Sequence, residues 1–422
     1  MWKNCDRIAT YIIIVMMAMQ VSLFKIFAKF IPIFNYSYNT PLLCTIYVVM
    51  ILAIYCFVLF TRLKERGISE IIDRYSYLII ELVVMVCALI VTDLVTIVNG
   101  QLRITNILTH NLDYIYVFLA LPITVLLVER SWEFEHFVDA ILSVSVLSML
   151  LKIFVMIYYG ATGVEIECIA LENTFEGWIR NGRLRLTPPC FIMICVPLCI
   201  YMFVYVDKLI KKIFYCLCGL ICMAYVYFVW QSRIAILFIG VGIGIMVMFG
   251  NTSKKLNIVR WSVVGVGAVG FMLLGGLKQI LALFSTNPET SVFFAENKGH
   301  YYAYDIFWGH FAQNFLTGCG LNETLSLGVY TILDKRQWLC DAGILYSLEP
   351  MGILIGVFYL LMFARGVYVY MQNRKEKNLA IIALALTVTI MVCEISMDCF
   401  FTPTAFAVPF YIAIVEVIKD KK

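Results

Sequence analysis

The chain has 422 residues, of which 62% are hydrophobic and only 14% are charged, and its mean hydropathy is +0.89. These values exclude an ordinary soluble domain, because such a domain carries about 25% charged residues. The formal net charge of +4 is small, and the sequence contains no basic patch of the kind that binds nucleic acid. The composition therefore indicates a polytopic membrane protein.

Apolar segments long enough to cross about 30 Å of hydrocarbon as a helix recur from end to end. The sequence predicts twelve, at about 8–24, 41–61, 77–99, 113–128, 137–159, 187–206, 213–230, 233–250, 259–283, 341–364, 378–397 and 401–417. The first follows Lys3 and Arg7 but is long and has no clear small-residue cleavage site before Lys25, so an uncleaved span is expected. The expected fold is an all-α integral membrane protein, with 1–422 forming a single polytopic domain.

Lysine and arginine are unevenly distributed between the two sides of the predicted spans. With the N-terminus inside, 20 of the 32 basic residues fall in the inner set: Lys3, Arg7, Arg62, Lys64, Arg66, Arg74, Arg130, Lys208, Lys211, Lys212, Lys254, Lys255, Arg260, Arg365, Arg374, Lys375, Lys377, Lys419, Lys421 and Lys422. The outer set is Lys25, Lys29, Arg103, Lys152, Arg180, Arg183, Arg185, Arg233, Lys278, Lys298, Lys335 and Arg336. Because cytoplasmic loops carry the excess of basic residues, both termini are predicted to be cytoplasmic.

Three segments then face outside. They are an arginine-rich loop at 160–186, a short turn at 231–233, and a large loop at 284–340 that precedes the tenth span. Four arginines lie in or beside the first two segments: Arg180, Arg183, Arg185 and Arg233. Positive charge there opposes the topological bias, and guanidinium presents a planar fork of donors suited to phosphate and pyrophosphate. These arginines are therefore candidates to bind an extracytoplasmic anion.

The alternative is a structural role for the outer arginines. Arg180 and Arg183 can reach lipid headgroups or pair with acidic residues of their own loop. Those acids are Glu165, Glu167, Glu172 and Glu176. Arg233 differs, because it lies in the tight turn WQSRIAILFIG with no acid nearby in sequence. A charge at that depth is by default a functional candidate.

Four stretches resemble motifs of the O-antigen polymerase and ligase superfamily. QSRIAILFIGVGIGIMV is similar to the family's helix that opens with Ser-Arg, and RNGRLRLTPP is similar to its arginine-containing loop before an earlier span. LTGCGLNE, residues 316–323, resembles the Gly-x-Gly turn late in the large outer loop. CDAGILYSLEPMGILIGVFYLLMF, residues 340–363, is similar to the segment in which that loop returns to the membrane. Order and spacing agree over about 170–365, whereas the first 150 residues match only as hydrophobic spans.

The resemblance implies glycosyl transfer outside the membrane, from a saccharide carried on a polyprenyl pyrophosphate lipid. It also implies a GT-C-like architecture with the large outer loop folded over a cavity, and no metal or other cofactor. By the same resemblance Arg233, together with Arg185 or Arg183, binds the pyrophosphate of the donor. The chemistry agrees, because breaking the anomeric bond leaves negative charge on a pyrophosphate oxygen, and fixed cations stabilise that charge.

The residue that accepts the proton of the acceptor hydroxyl has several candidates. Many family members carry a histidine where the loop returns to the membrane, but this chain has Asp341 there. Where an arginine often precedes the aromatic helix of the loop, this chain has His300. Because a carboxylate can accept or orient a hydroxyl proton, Asp341 is the predicted base, with His310 and His300 as alternatives. A structural alternative for Asp341 is the N-cap of the helix that begins there.

Few charges lie inside the predicted spans, and such charges often mark cavities or pathways. Lys152, Asp93, Glu394 and Asp398 all fall toward the outer half, where a cavity that holds sugar needs a polar lining. Glu394 and Asp398 are four residues apart and are expected to share one helix face. Two alternatives remain open: structural ion pairs, and in a transporter a proton relay through Glu81 or Glu394.

Two further features of the sequence are less specific. The fifteen cysteines are scattered through the spans, where a thiol behaves as a small apolar group, and no metal site is predicted. In the large outer loop, FFAENKGHYYAYDIFWGHFAQNF has aromatic residues at spacings typical of an amphipathic helix on the membrane surface.

Three functions are consistent with these features. A polymerase joins lipid-linked repeat units into a surface polysaccharide such as O-antigen, capsule or exopolysaccharide, a ligase moves finished glycan to another acceptor, and a flippase or transporter moves the same lipid without chemistry. Arginines clustered at the outer face favour an enzyme, and the missing family histidine counts against a ligase. The prediction is a polymerase of the bacterial cytoplasmic membrane, multi-pass, with its active site outside. Expected partners are the lipid-linked glycan, membrane lipid, and a flippase and chain-length regulator of the same pathway, with no nucleic acid.

Overall fold

Helices follow one another through nearly all of the described chain. The computed structural model describes residues 2–24, 41–100, 111–164, 179–180, 183–249, 307–321, 329–332, 335–338, 342–374, 379–395, 397–400 and 404–420. Apolar segments become helical because a helix satisfies its own backbone hydrogen bonds, which hydrocarbon cannot do. The expectation of a helical membrane protein is confirmed.

The elements are numbered here in chain order. The first half comprises α1 (Trp2–Gln20), α2 (Pro41–Tyr55), a π-helical turn (Cys56–Phe60), α3 (Thr61–Val98), α4 (Asn111–Val128, with a 3-10 turn at Tyr116–Leu119), α5 (Phe134–Thr162), β1 (Ile179–Arg180) and β2 (Arg183–Leu184). The second comprises α6 (Ile192–Tyr205), α7 (Leu209–Ala224) with a π-helical turn (Tyr225–Trp230), α8 (Arg233–Phe249), a helical segment at 307–313, β3 (Val329–Ile332), β4 (Lys335–Trp338), α9 (Leu345–Met351), α10 (Ile353–Asn373), α11 (Ala380–Cys393) and α12 (Val408–Asp420).

Six helices among the described residues are long and apolar enough to cross a membrane. They are Leu43–Phe60, Gly67–Val98, Asn111–Val128, Phe134–Thr162, Leu209–Trp230 and Ile353–Asn373. Three shorter apolar helices are Ile192–Tyr205, Ile234–Phe249 and Ala380–Cys393. The predicted span at 259–283 lies outside the described residues, and the total of twelve spans stays a prediction.

Two predicted spans differ from the helices that form. The sixth is predicted from residue 187, but α6 begins at Ile192, because Pro188 and Pro189 lack the amide hydrogen and restrict the residue before them. The tenth is predicted as one span over 341–364, but the structure divides it into α9 and α10 at Gly352, whose φ of 67° lies outside the helical region. The helix that is long and apolar enough to cross a membrane therefore begins at Ile353.

The ends predicted to be cytoplasmic meet at one end of the bundle. Arg62, just after the second span, pairs with Asp6 of α1 at 2.9 Å and with Glu129 at the end of α4 at 2.7 Å. Arg74 of α3 pairs with Asp420 at the end of α12 at 2.7 Å. These pairs join four helices at one end of the bundle, and the side of the membrane on which that end lies stays a prediction.

The centre of the bundle is built around α12. Every residue of this helix from Val408 to Ile418 is buried, as expected for a helix that is apolar on all sides. Phe406 and Phe410 stack edge-on against Phe191, with ring centroids 5.9 and 4.9 Å apart, and Phe406 also meets Tyr116 at 5.1 Å. The two halves of the chain therefore share one apolar core.

Candidate functional site

The turn between α7 and α8 brings two of the predicted arginines close together in the fold. The π-helical turn ends at Trp230, Gln231 adopts a left-handed φ of 52°, and α8 begins at Arg233. The Nε atom of Arg185 donates a hydrogen bond to the carbonyl oxygen of Trp230 at 2.7 Å. Arg185 is thereby held at the turn that starts the helix of Arg233. The side chain of Arg233 lies outside the described residues.

The chain around Thr187 is fixed from two sides. Lys152 of α5, 4% exposed, donates from Nζ to the carbonyl oxygen of Thr187 at 3.0 Å. The hydroxyl of Tyr225 donates to the same oxygen at 2.7 Å. Lys152, a predicted lining residue, therefore anchors the backbone two residues after Arg185.

The other two arginines lie on a small hairpin that leads into this segment. Strands β1 and β2 pair antiparallel, with Ile179 opposite Leu184 and Arg180 opposite Arg183. Arg180 and Arg183 therefore lie on the hairpin, and Arg185 follows directly after it. The side chains of Arg180 and Arg183 lie outside the described residues.

The Gly-x-Gly turn of the large loop docks into the break between α9 and α10. The amide of Cys319 donates to the carbonyl of Glu349 at 2.9 Å, and the amide of Gly320 donates to that of Pro350 at 3.1 Å. A Cβ on Gly318, whose φ is 71°, would collide with the backbone of Pro350. The turn therefore needs glycine for both its conformation and its close approach.

Docking of this turn brings a histidine against a buried carboxyl group. The Nδ1 atom of His310 lies 3.0 Å from Oε1 of Glu349. The His310 side chain is 40% exposed, whereas that of Glu349 is 1% exposed. Burial raises the pKa of Glu349 from 4.5 to about 7, partly opposed by His310 and Cys319. A half-exposed imidazole oriented by a carboxyl group can act as a base.

Glu394 and Asp398 lie close together, but not on one helix face. Helix α11 ends at Cys393, so Asp398 lies in the following turn and the expectation of a shared helix face is wrong. The oxygens of Asp398 accept hydrogen bonds from Tyr359 Oη at 2.7 Å, from the Phe400 amide at 2.7 Å and from the Ser347 amide at 3.1 Å. This buried carboxyl group therefore ties the turn to α9 and α10.

The same turn contains a group of atoms spaced closely enough to ligate a cation. Single ligand atoms of Glu394, Asp398 and Cys399 lie within 4.8 Å of one another, and all three residues are buried. The Asp398 oxygens are occupied by three donors, and Glu394 Oε1 accepts from the Cys399 amide at 2.9 Å. Hydrogen bonding explains most of this cluster, and its geometry favours a structural turn over a metal centre.

Asp93 lies near the end of α3, close to the docked Gly-x-Gly turn. Its Oδ1 atom accepts a hydrogen bond from Asn111 at 2.8 Å, which links α3 to α4. One turn further on, Thr96 Oγ1 accepts from the amide of Leu321 at 2.7 Å. The Gly-x-Gly turn is therefore held between α3 on one side and the α9–α10 break on the other.

Two packing contacts show that the arginine turn and the turn of Glu394 and Asp398 lie at the same end of the bundle. Helices α8 and α11 run antiparallel, because Met246 packs with Ile381 and Ala385 while Gly242 abuts Thr389. The start of α8, at Arg233, therefore lies at the same end as the end of α11. There the amide of Ile344 donates to the carbonyl of Glu394 at 2.9 Å, so α9 meets the same region.

Two predicted base residues, Asp341 and His300, lie outside the described residues. Helix α9 begins at Leu345, with Ile344 at its N-cap position. The residue after Asp341, Ala342, packs with Phe307 and Leu345, one turn from His310. Glu349 is not among the predicted site residues, although a lone acid within a predicted span, followed by proline, is a readable signal.

The fold and site define a class, an α-helical membrane protein with a polar cluster at one end of its bundle. No protein-family model matches this chain, and no curated protein matches it.

Proposed function

We propose that the chain is a membrane glycosyltransferase that polymerises oligosaccharide repeat units linked to polyprenyl pyrophosphate into a surface polysaccharide. The observation that carries the proposal is the 2.7 Å hydrogen bond from Arg185 to the carbonyl of Trp230, three residues before Arg233. It supports the pairing of two arginines that the motif resemblance implies for one pyrophosphate. The hairpin of Arg180 and Arg183 adds further positive charge nearby.

The proposed topology has twelve spans, cytoplasmic termini and a GT-C-like architecture in the bacterial cytoplasmic membrane. The arginine segment and the large loop then face outside. The ion pairs of Arg62 and Arg74 lie at one end of the bundle. The arginine turn and the docked Gly-x-Gly turn lie at the other end, which supports this topology. In this topology, a sugar on a carrier lipid of the outer leaflet reaches the end of the bundle that contains the arginine turn.

The proposed chemistry is a displacement at the anomeric carbon of the donor. The acceptor hydroxyl oxygen forms the new glycosidic bond, and the bond from the anomeric carbon to the pyrophosphate oxygen breaks. The electron pair stays on the pyrophosphate, and a nearby base takes the hydroxyl proton. Arginines fixed before the reaction stabilise the developing negative charge with little reorganisation.

The first test is deletion of the gene in its native host, followed by size analysis of lipid-linked and surface glycans. Loss of long chains, with single repeat units accumulating on the outer leaflet, is the expected result. Long chains stranded on the carrier lipid would mean a ligase. Single units trapped on the inner leaflet would mean a flippase.

Complementation then tests the arginines. Arg185→Ala and Arg233→Ala should each lower the polymerisation rate about 100-fold or more, because each removes a charge-stabilising group. Lysine at either position should restore part of the rate, since the charge returns without the bidentate fork. Arg374→Ala, on the exposed inner side, is the matched control. Wild-type rates in both alanine variants, at wild-type protein levels, would refute the pyrophosphate role.

A further inference from the structure

A histidine and a glutamate from two distant segments meet at the outer end of the bundle. His310 belongs to the helical segment 307–313, and Glu349 belongs to α9. Their contact, 3.0 Å from Nδ1 to Oε1, joins residues 39 apart in sequence. Backbone bonds from Cys319 to Glu349 and from Ile353 to Phe315 clamp the two segments together. The pair therefore exists only when the loop is docked.

The pair includes an energetically costly group. Glu349 is 0% exposed, and its Oε2 atom has no hydrogen-bond partner in the described part of the chain. An unsatisfied buried polar atom costs about 1–3 kcal/mol, and each such atom in a native structure calls for an explanation, of which a catalytic role is one. Asp398, by contrast, has both oxygens bonded, whereas Glu394 shares with Glu349 one oxygen that has no hydrogen-bond partner among the described residues. Of these two glutamates, Glu349 is the one that contacts a half-exposed histidine.

We propose that His310, oriented by Glu349, is the base that takes the proton from the acceptor hydroxyl in the glycosyl transfer. The inference rests on the proposed function. Glu349 accepts a hydrogen bond from Nδ1–H of His310, which leaves the lone pair of Nε2 as the basic site. As the hydroxyl oxygen attacks the anomeric carbon and the pyrophosphate departs with the bonding pair, the hydroxyl proton moves to Nε2. The imidazolium then releases that proton to outside water.

Glu349 lies where its carboxylate can stabilise the imidazolium that forms when His310 takes the proton. A carboxylate with little solvent around it stabilises the imidazolium that forms next to it more than a hydrated carboxylate would. His136 and Glu133 form an exposed pair on the side predicted to be inner, with side chains 66% and 71% exposed and 3.7 Å apart. That pair is solvated, so it provides a control of matched residue types.

The protonation of Glu349 sets the direction in which the rate changes with pH. In the described residues, the ionisable groups that face Glu349 are His310 and Cys319. The active form needs ionised Glu349, so the rate falls as the pH drops through about 7 and this carboxyl group takes up a proton. Glu349→Gln removes this ionisation and should change the lower limb of the pH profile as well as the rate.

The test uses membranes that contain the full chain, with lipid-linked repeat units extracted from the deletion host as substrate. His310→Ala should lower kcat about 100-fold, the usual contribution of a general base, with KM nearly unchanged. Added imidazole should restore part of the lost rate in His310→Ala. Glu349→Gln, a change in a positioning residue, should lower kcat and shift the pH profile. His136→Ala and Glu133→Gln should behave as wild type.

The outcomes separate this inference from the proposed function. If wild-type membranes form no polymer from this substrate, the proposed function fails. If the wild type polymerises and His310→Ala does so at the same rate, the base assignment fails. Loss of activity in Asp341→Asn, with normal rates in His310→Ala, would assign the base to Asp341 instead. If Glu349→Gln does not accumulate in membranes, the rate of His310→Ala and its rescue by imidazole still show whether His310 is the base.

Discussion

At the scale of single residues, Glu349 shows how burial changes the pKa of a carboxyl group. It lies in α9, ahead of the span that begins at Ile353. Desolvation raises its pKa from 4.5 to about 7, since a buried environment disfavours the charged form. Because the folded pKa lies above the unfolded value, the stability from the protonated carboxyl is complete below pH 4.5 and is lost as the pH rises through about 7.

Glu349→Gln should therefore gain stability relative to the wild type as the pH rises from about 5 to about 8. The expected change in relative unfolding free energy is on the order of 2–3 kcal/mol, because glutamine stays neutral across this range. Thermal unfolding of the purified proteins in detergent, at several pH values, measures the difference. Glu133→Gln, at an exposed site, should follow the wild type. If the stabilities of Glu349→Gln and the wild type change with pH in parallel, the raised pKa of Glu349 is contradicted.

At the scale of elements, the docked Gly-x-Gly turn and the broken helix form one unit. Gly318, Gly320 and Gly352 all have positive φ values, of 71°, 75° and 67°. A Cβ on Gly352 would meet the backbone of Gly318 and Thr317, and one on Gly320 would meet Thr96 about 3.0 Å away. Glycine lets two irregular backbones touch, which in turn brings His310 to Glu349.

Gly318→Ala should destabilise this unit and slow polymerisation together. A left-handed φ costs a non-glycine residue about 1–2 kcal/mol, and the new Cβ also collides with the backbone of Pro350. The expected readouts are a lower unfolding temperature in detergent and fewer long glycan chains in the complemented host. Gly309→Ala is the control, because no atom lies within 4 Å of its Cβ position. Equal behaviour of the two variants would argue against the docking role.

At the scale of the whole molecule, a buried ion pair joins two helices of the bundle. Arg365 of α10 binds Glu416 of α12 in a bidentate manner, at 2.5 Å from Nε and 2.9 Å from Nη2. The guanidinium also lies 4.4 Å from the centre of the Tyr77 ring of α3. Both charged residues are about 5% exposed, and the buried Glu81 of α3 also interacts electrostatically with Arg365.

Glu416→Gln and Arg365→Met should each destabilise the protein by about 3–5 kcal/mol, because each removes the hydrogen-bonded partner of a buried charge. The double variant should recover much of that loss. The comparison is Arg74→Ala, which breaks a pair whose side chains are 33% and 38% exposed and should cost about 1 kcal/mol or less. Unfolding temperatures in detergent measure all four. Additive losses in the double variant would show that the two charges act independently.

The sequence by itself determined the class of this protein, its helices and the arginine candidates. Composition and apolar run length decide those features locally, because hydrocarbon requires each segment to satisfy its own hydrogen bonds. The Ser-Arg turn and the Gly-x-Gly stretch were also readable, since both depend on local backbone chemistry.

Only the tertiary structure decided which distant groups meet. It divided the predicted span 341–364 at Gly352, removed Asp398 from the α11 face, and placed Arg185 on the carbonyl of Trp230. It also joined His310 to Glu349 across 39 residues. No periodicity encodes such contacts, because they depend on how whole helices pack and on where irregular backbones touch. The fold class follows from local physics, whereas the candidate base and its orientation follow from packing.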